Sequence, residues 1–308
     1  MHIFVTGASG WIGSAVVPDL IGAGHHVVGL ARTEASAAAL SAAGAEVHTG
    51  DLDDLDSLRK AAAASEGVIH LAFRHDLSFS GDMQRAADAD RRAIEVFGEA
   101  LAGSDRPLAI ASGTLGLAQG RVATERDGHE VTANASPRLA NAELTLSLAS
   151  RGVRSSVVRL SPTVHGAGDH GFMAMLVSIA RDKGVSAYVG DGLNRWNAVH
   201  RLDAARLFRL AVEAAPAGST LHAVGDEGVP IRDVAETIGR HLDVPVVAVS
   251  PADAASHFGF LGGLLQMDSW VSSALTQDLL DWRPSHPSLI EDLDAGHYFR
   301  RLTPAAAH

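Results

Sequence analysis

The sequence lacks several features that whole classes of protein require. It contains no cysteine, which excludes disulfide bonds, thiolate catalysis and cysteine-ligated zinc. Its 25 Lys and Arg stand against 36 Asp and Glu, and the net charge of -11 leaves no basic stripe for nucleic-acid phosphates. No apolar run reaches the roughly 18–20 residues that span a bilayer, and the chain opens on a strand-like segment that leaves no room for a signal peptide. These absences predict a cytoplasmic protein whose partner is a small molecule rather than a nucleic acid or a membrane.

The first stretch of the chain, 3–13, carries the strongest pattern. An apolar run of strand length leads to Gly7, Gly10 and Gly13, and a helix-like amphipathic segment follows. Glycines so spaced allow a tight turn, a close approach of the backbone to a pyrophosphate and close packing of the helix on the sheet. The positive end of the helix then faces the phosphates. This context predicts a dinucleotide-binding loop, with contacts from Thr6, Gly7, Ser9, Gly10, Trp11, Ile12 and Gly13.

Strand-like and helix-like segments alternate through the first half of the chain, and the strands are nearly continuous apolar runs. This pattern is typical of a parallel sheet covered by helices on both faces, which right-handed crossovers make doubly wound. We therefore predict an α/β fold with a Rossmann domain over 1–165, its sheet completed by about 219–226. Shorter segments and more frequent glycines after Pro162 predict a smaller, interleaved substrate-binding lobe over 166–308.

Five later motifs, read together with the glycine loop, resemble the extended and atypical branches of the short-chain dehydrogenase/reductase superfamily. The motifs are Asp51-Leu52, His70-Leu71-Ala72-Phe73, Ala111-Ser112-Gly113-Thr114, the segment 159–166 and Gly190-Asp191-Gly192 with 199–203. The resemblance implies an NAD(P)-dependent oxidoreductase with an acid at the adenine and an apolar segment under the cofactor. The additional cofactor contacts that it implies are Asp51, Leu52, Leu71, Ala72, Phe73, Arg138 and Pro162.

One departure from the family concerns its Tyr-x-x-x-Lys signature at the start of the helix after the fifth strand. The sequence has only two tyrosines, Tyr188 and Tyr298, and neither lies there. The region carries no lysine either, and the closest substitute is Arg138, with Asn134 four residues before it. Arg138 would place a fixed charge near the ribose and nicotinamide, or at the oxyanion. A guanidinium with a pKa above about 12 cannot itself donate the proton.

The proton must therefore come from another group. A hydroxyl of Ser112 or Thr114, at the end of the fifth strand, can hydrogen-bond a substrate carbonyl. The resemblance puts His165 beside the nicotinamide, and histidine titrates near neutrality, so His165 is the first candidate donor. A water relay and His129 are the alternatives. The predicted catalytic residues are Ser112, Thr114, Arg138 and His165.

The end of the second strand determines the predicted cofactor. An acid there would bind the ribose 2′-OH of NAD, but Ala31 has no polar side chain, and Arg32 can hold a 2′-phosphate in a bidentate, permanently charged contact. We predict NADPH (NADP+), with NADH less favoured. Glu34, if it turned inward, would favour NAD.

Apolar side chains between Gly166 and His200 predict the substrate site. Their low charge favours a small or medium hydrophobic ketone, aldehyde or imine over a nucleotide sugar, whose diphosphate requires cationic groups. At helical spacing the same residues can also form core. The predicted contacts are Asn134, Phe172, Met175, Trp196 and His200. No motif has metal-ligand spacing, so we predict no metal site.

Three functions remain open from the sequence. The first is an NADPH-dependent reductase with a non-Tyr proton donor or a water relay. The second is a non-catalytic NADP(H)-binding redox sensor or scaffold, because the usual donor is missing. The third, a nucleotide-sugar epimerase or dehydratase, is weakened because those reactions in this family also use the Tyr. The long predicted helices over 82–101 and 137–150 favour a homodimer, since such helices often pair across a two-fold axis in the resembling families.

Overall fold

A computed structural model describes residues 1–79, 81–118, 120–128 and 137–300. The strands are β1 His2–Thr6, β2 His26–Ala31, β3 Glu46–Thr49, β4 Gly67–His70, β5 Pro107–Gly113, β6 Arg154–Leu160, β7 Thr163–His165, β8 Ser186–Val189, β9 Arg195–His200, β10 Ser219–Ala223, β11 Asp226–Pro230 and β12 Val246–Val249. The helices are α1 Gly13–Gly22, α2 Glu34–Ala42, α3 Leu55–Ala63, α4 His75–Phe79, α5 Met83–Leu101, α6 Arg138–Ser147, α7 Phe172–Lys183, α8 Arg201–Ala214, α9 Ile231–Leu242, α10 Ala254–Phe258, α11 Leu261–Leu264, α12 Ala274–Leu280 and α13 Leu289–Asp294.

The centre of the molecule is a seven-stranded parallel sheet in the order β3-β2-β1-β4-β5-β6-β10. The inner strands are largely buried because helices cover both faces. One face packs on α1 and α8, and the other on α3, α5 and α6. This arrangement confirms the predicted doubly wound α/β fold. None of the described helices is both long and apolar enough to cross a membrane.

The remaining strands build the smaller lobe. β9 pairs antiparallel with β11 and parallel with β7, and β8 pairs parallel with β12. A separate apolar core, which includes Trp196, Phe258 and Leu293, lies between these strands and α7, α9 and α13. The lobe therefore has a core of its own.

The chain returns from the lobe to the central sheet by more than one element. Besides β10, helix α8 packs on α1, and its Leu207, Phe208 and Val212 are buried in the core beneath the sheet. The predicted division assigned α8 to the lobe. The spacing of apolar residues in α8 indicates that one face of the helix is buried, but it does not indicate which core buries that face. The packing of α8 on the central sheet was therefore not predictable from the sequence.

Gly13 provides a test of how α1 meets the sheet. A Cβ at this position would lie 2.1 Å from the Gly7 carbonyl oxygen, whereas one at Gly22 in the same helix would meet nothing within 4 Å. We expect Gly13→Ala to lower the free energy of unfolding by at least about 2 kcal/mol, because backbone must move to admit the methyl group. Gly22→Ala, as the matched control, should be neutral or stabilising. Urea unfolding measures both, and equal effects would contradict this packing.

Candidate active site

The loop between β1 and α1 forms a cradle for an anion. Gly7 has φ +64°, and a Cβ there would lie 2.7 Å from the backbone N of Ala72, so only glycine lets the loop rest on the residues after β4. The backbone N–H groups of Trp11 and Ile12 find no acceptor among the described residues. The first turn of α1 has neither an acid nor a capping side chain. Free N–H groups at the positive end of a helix suit a diphosphate. The other predicted loop residues surround this cradle: Ser9 and Gly10, both exposed, and Gly13, buried.

The carboxyl ends of β2 and β3 lie beside this cradle. Arg32 directly follows β2, is exposed and forms no ion pair within the described chain, and Glu34 begins α2, also exposed. Asp51 turns toward its own loop, where its Oδ1 accepts hydrogen bonds from the backbone N–H groups of residues 53 and 54 (2.8 and 3.2 Å). Leu52 packs into the core between sheet and helices. Arg32 is therefore an uncompensated cation at this end of the site.

Arg138 lies across the carboxyl ends of β4 and β5. Its guanidinium covers the ring of Phe73 at 4.2 Å, and its Nη2 donates to the Ala111 carbonyl oxygen (3.3 Å). His75 contacts the edge of the same ring, at 5.2 Å between centroids. Burial lowers the pKa of Arg138, against the opposing effect of the Asp90 charge. Burial, and then the Arg138 charge, lower the pKa of His75. The predicted segment under the cofactor, Leu71, Ala72 and Phe73, is half-buried here.

Helix α6 begins at Arg138, at the place where the family has its signature. One turn later stands Ala142, which is buried in the core. Neither a phenol nor an amine is thus present at these two positions of the helix. The predicted partner Asn134, and His129, lie outside the described residues.

The two hydroxyl residues at the end of β5 have different environments. Thr114 is 0% exposed, and its hydroxyl donates to Asn197 Oδ1 (3.0 Å) and to the Leu160 carbonyl oxygen (3.2 Å). The hydroxyl of Ser112 forms no hydrogen bond with any described residue, and Ser112 shares its face of the sheet with Ile110, which packs toward α5 and α6. The Thr114 hydroxyl is therefore used in internal hydrogen bonding, whereas the Ser112 hydroxyl has no such partner among the described residues.

A buried chain of hydrogen bonds links the glycine loop to α6. Thr6 Oγ1 lies 2.6 Å from His70 Nδ1, His70 Nε2 lies 3.0 Å from Asp90 Oδ1, and Asn141 Nδ2 donates to Asp90 Oδ2 (2.7 Å). Burial raises the pKa of Asp90, but its hydrogen bond with His70 and the His70 charge outweigh burial and keep it below the usual range. Thr6, predicted to contact the cofactor, instead uses its hydroxyl to position the loop. Sequence reasoning missed Asp90, although an acid on the apolar side of α5 was a signal.

The structure corrects the predicted role of His165. Its side chain is 0% exposed, its Nδ1 lies 2.9 Å from Asp292 Oδ2, and its Nε2 is enclosed without a partner among the described residues. Asp292 also lies 2.9 Å from His297 Nε2 through its other oxygen. With no exposed atom, His165 cannot pass a proton to a ligand in the cleft, and it joins β7 to α13 instead.

The predicted substrate contacts divide between core and surface. Trp196 is 1% exposed and its indole N–H donates to the Met267 carbonyl oxygen (3.3 Å), so it belongs to the lobe core and has no donor for a substrate. Phe172 and Met175 are half-buried. Phe172 contacts Phe260, which is 53% exposed, at 6.4 Å between ring centroids. Phe172 and Phe260 thus form an accessible apolar edge of the lobe.

His200, another predicted substrate contact, caps α8 through its Nδ1, which accepts from the N–H of Leu202 (3.3 Å). Its ring stacks on His286 at 4.7 Å and meets the ring of His165 at 5.4 Å. Burial, and then the charges of His165 and His286, lower the pKa of His200 to about 4. His200 is therefore neutral near neutral pH.

Trp11 connects the glycine loop to the chain beyond β6. Its indole N–H donates to the Val164 carbonyl oxygen (2.8 Å), and the Arg201 guanidinium lies over its ring at 4.3 Å. His170 meets the edge of that ring at 5.6 Å. Pro162 is half-buried in the turn between β6 and β7. Among the described residues, no group of three or more His, Asp or Glu side chains is arranged to hold a metal ion.

Comparison with known proteins identifies the family of this site. The sequence matches the NAD dependent epimerase/dehydratase family over residues 3–224. An uncharacterized protein of Schizosaccharomyces pombe is 51% identical over 300 residues, which cover 97% of this chain and 100% of the relative. The chain belongs to the NAD dependent epimerase/dehydratase family. This membership confirms the resemblance to extended short-chain dehydrogenases and reductases, and it makes the chain an NAD(P)-dependent oxidoreductase.

Two similar proteins whose names state an activity are more distant. The 4-hydroxy-2-methyl-3-oxo-4-farnesyl-3,4-dihydroquinoline-1-oxide ketoreductase of Stigmatella aurantiaca is 28% identical over 275 residues, 84% of this chain and 80% of the relative. The dTDP-glucose 4,6-dehydratase of Streptomyces venezuelae, solved with NAD bound, has a TM-score of 0.76 at 20% identity and covers 98% of each chain. The second likeness establishes the fold alone.

The lowered pKa of His200 predicts a pH dependence of folding. The unfolded chain protonates this ring near its ordinary pKa of about 6.5, whereas the folded chain does so only near pH 4. Between these values the unfolded state binds more protons, so stability falls as the pH falls. His200→Asn keeps a capping acceptor. Between these pH values its free energy of unfolding should fall by about 1–2 kcal/mol less than that of the wild type. This value is reduced because the His200 ring is half-exposed to solvent. Urea unfolding at both pH values measures this, and parallel losses in the two proteins would contradict it.

Proposed function

We propose that this protein is an NADPH-dependent reductase of small or medium hydrophobic ketones, aldehydes or imines. The observation that carries the proposal is that two side chains with free donors, Ser112 and Arg138, both lie at the carboxyl ends of β4 and β5. The glycine loop, whose free N–H groups suit a diphosphate, lies next to them. In doubly wound sheets, ligands bind at this edge. The assigned ketoreductase activity of the Stigmatella relative supports the same reaction class.

The cofactor side of the proposal rests on Arg32. An exposed guanidinium without an ion pair in the described chain, one residue after the buried Ala31, suits a 2′-phosphate better than a ribose hydroxyl. Glu34, the first residue of α2, is exposed and lies in the first helical turn. Its carboxylate can therefore stabilise the helix end without facing a ligand.

In the proposed mechanism, Ser112 and Arg138 have different roles. The nicotinamide, when bound, supplies the hydride. The Ser112 hydroxyl orients the carbonyl by a hydrogen bond, and the Arg138 charge stabilises the negative charge that develops on its oxygen. Because Arg138 keeps its proton, water returns the proton to the product oxygen. His75, which shares the Phe73 ring with Arg138, is the titratable side chain that the structure adds to this end of the site.

The main alternative is a protein that binds NADP(H) without turnover. The observation in its favour is that neither the family's Tyr nor its Lys is present at the start of α6. A panel of ketones, aldehydes and imines, followed by the loss of NADPH absorbance, separates the two. Turnover of any member supports the reductase, and tight NADPH binding without turnover of any member would support the sensor. A nucleotide-sugar epimerase or dehydratase is less favoured because of the missing Tyr, and a cytoplasmic homodimer stays a prediction.

Arg32→Ala tests the choice of cofactor. Removing a bidentate, charged contact to the 2′-phosphate should raise the Kd of NADPH by about 10- to 100-fold. The Kd of NADH, which lacks that phosphate, should change by no more than about twofold. Fluorescence titration of both dinucleotides measures the ratio. Glu34→Gln is the matched control and should leave the preference unchanged, whereas equal losses for the two cofactors in Arg32→Ala would refute the assignment.

Substitutions of Ser112 and Thr114 should have different effects, one on catalysis and the other on stability. Ser112→Ala should lower kcat by about 100-fold, because it removes a donor to the developing oxyanion, while stability and NADPH affinity are retained. Thr114→Val should instead lower the free energy of unfolding by about 1–3 kcal/mol, because the Asn197 amide loses its donor in a buried site. Steady-state kinetics and urea unfolding of both variants check this. A Ser112→Ala enzyme with wild-type kcat would exclude Ser112 from catalysis.

A further inference from the structure

Arg138 is a half-buried cation, and most of the hydrogen-bonding capacity of its guanidinium is unused. Its one hydrogen bond within the described chain is the donation from Nη2 to the Ala111 carbonyl oxygen (3.3 Å). The carboxylate whose charge acts on it, Asp90, does not bond to it. Both Asp90 oxygens are engaged elsewhere, Oδ1 with His70 and Oδ2 with Asn141. A guanidinium has five N–H donors in a planar fork, so the remaining donors have no protein acceptor among the described residues.

Two other half-buried arginines have protein partners for their guanidinium groups. Arg195, which also lies over an aromatic ring, that of Trp270, forms an ion pair with Asp268 (2.9 Å). Arg106 donates to four backbone carbonyl oxygens. A cation that is partly removed from water without such partners is unfavourable. Because the Arg138 guanidinium lies at the carboxyl end of β5, where ligands bind in such sheets, its free donors can bind an acceptor that arrives with a ligand.

The geometry points to a carboxylate on the substrate itself, next to the carbonyl that is reduced. This inference rests on the proposed reductase function and names its substrate class: a 2-oxo or 3-oxo acid with an apolar remainder. Arg138 bonds to Ala111, and Ser112 is the next residue, with Cα atoms ~3.8 Å apart. The two donors therefore lie at neighbouring positions of β5, and we infer that they bind a carbonyl and a carboxylate separated by no more than one or two carbon atoms. A carboxylate matches the guanidinium fork with two parallel hydrogen bonds.

The apolar edge of the lobe suits the rest of such a molecule. Phe172 begins α7 and contacts the exposed Phe260. An alkyl or aryl chain on the oxo acid gains favourable free energy by covering these rings. In the reaction, the carbonyl carbon gains a hydride from the reduced nicotinamide dinucleotide, the π pair moves to oxygen, and water protonates that oxygen. The carboxylate remains unchanged and the product is a hydroxy acid with NADP+.

Matched probes test the inference by equilibrium binding, without turnover. Calorimetric titration of 2-oxooctanoate and of its methyl ester into the NADP+ complex compares a carboxylate with a neutral group of similar shape. We expect the wild type to bind the acid at least about tenfold more tightly than the ester. Arg138→Gln should abolish that preference. Arg138→Lys, which keeps the charge but not the fork, should retain part of it and guards against a folding defect in Arg138→Gln.

Arg232→Gln is the control variant. Arg232 lies over Tyr188 at 4.9 Å in the lobe and belongs to no part of the proposed site, so its substitution should leave the preference intact. Kinetics give a second readout: the ratio of kcat/KM for acid over ester should fall at least about tenfold in Arg138→Gln. Comparing ratios between enzymes cancels the different intrinsic reactivities of the two compounds.

The carboxylate assignment and the reductase function can fail separately, and different results would show each failure. If the wild-type complex fails to bind 2-oxooctanoate, binds acid and ester equally, or keeps its preference in Arg138→Gln, the carboxylate assignment is wrong. Reduction of neutral 2-octanone with NADPH under those conditions would leave the reductase standing. A protein that binds no NADPH would lose the proposed function itself, and the substrate class with it.

Discussion

The arrangement of the site depends on one buried chain of hydrogen bonds, from Thr6 through His70 and Asp90 to Asn141. It crosses from the end of β1 to the end of β4, then to α5 and α6. A buried polar group left without its partner costs about 1–3 kcal/mol, so each member fixes the next. The glycine loop between β1 and α1 and the helix that begins at Arg138 are therefore held in one geometry.

A second constraint ties that loop to the chain beyond the sheet. Trp11 hydrogen-bonds to the Val164 carbonyl oxygen, and its ring lies under Arg201 at the start of α8. Close by, His165 is locked to Asp292 and packs against His200. These contacts join the cofactor loop, β7 and the last described helix. His165, which the sequence suggested as the proton donor, and His200, which it suggested as a substrate contact, thus connect parts of the structure to each other. In the proposed mechanism, Ser112 and Arg138 act on the carbonyl instead.

The fold was predictable because its signals are local. Three glycines between a strand and a helix, and apolar strands alternating with helices, indicated the parallel sheet without knowledge of distant contacts. The roles of Thr114, His165 and Trp196 were not predictable, because each depends on a partner far away in sequence: Asn197, Asp292 and Met267. A histidine next to a glycine loop has the same local sequence whether it faces a ligand or a buried carboxylate.

Arg138 shows the opposite case, in which a departure from the family pattern was visible in the sequence but its meaning was not. Its position at the start of α6 follows from the motif. That its guanidinium rests on Phe73 and leaves donors unused is a property of packing alone. The family relation makes the chain an NAD(P)-dependent oxidoreductase, and the proposed role of Arg138 at the carbonyl rests on this side chain's surroundings.

The proposed reductase function is tested most directly by measuring whether the hydride of NADPH is transferred to the product. NADPH carrying deuterium at both C4 positions is incubated with the protein and a carbonyl compound, and the product is analysed by mass spectrometry. The account predicts an alcohol or amine with deuterium on the former carbonyl carbon. Tight binding of the labelled NADPH with no deuterium in any product would contradict it.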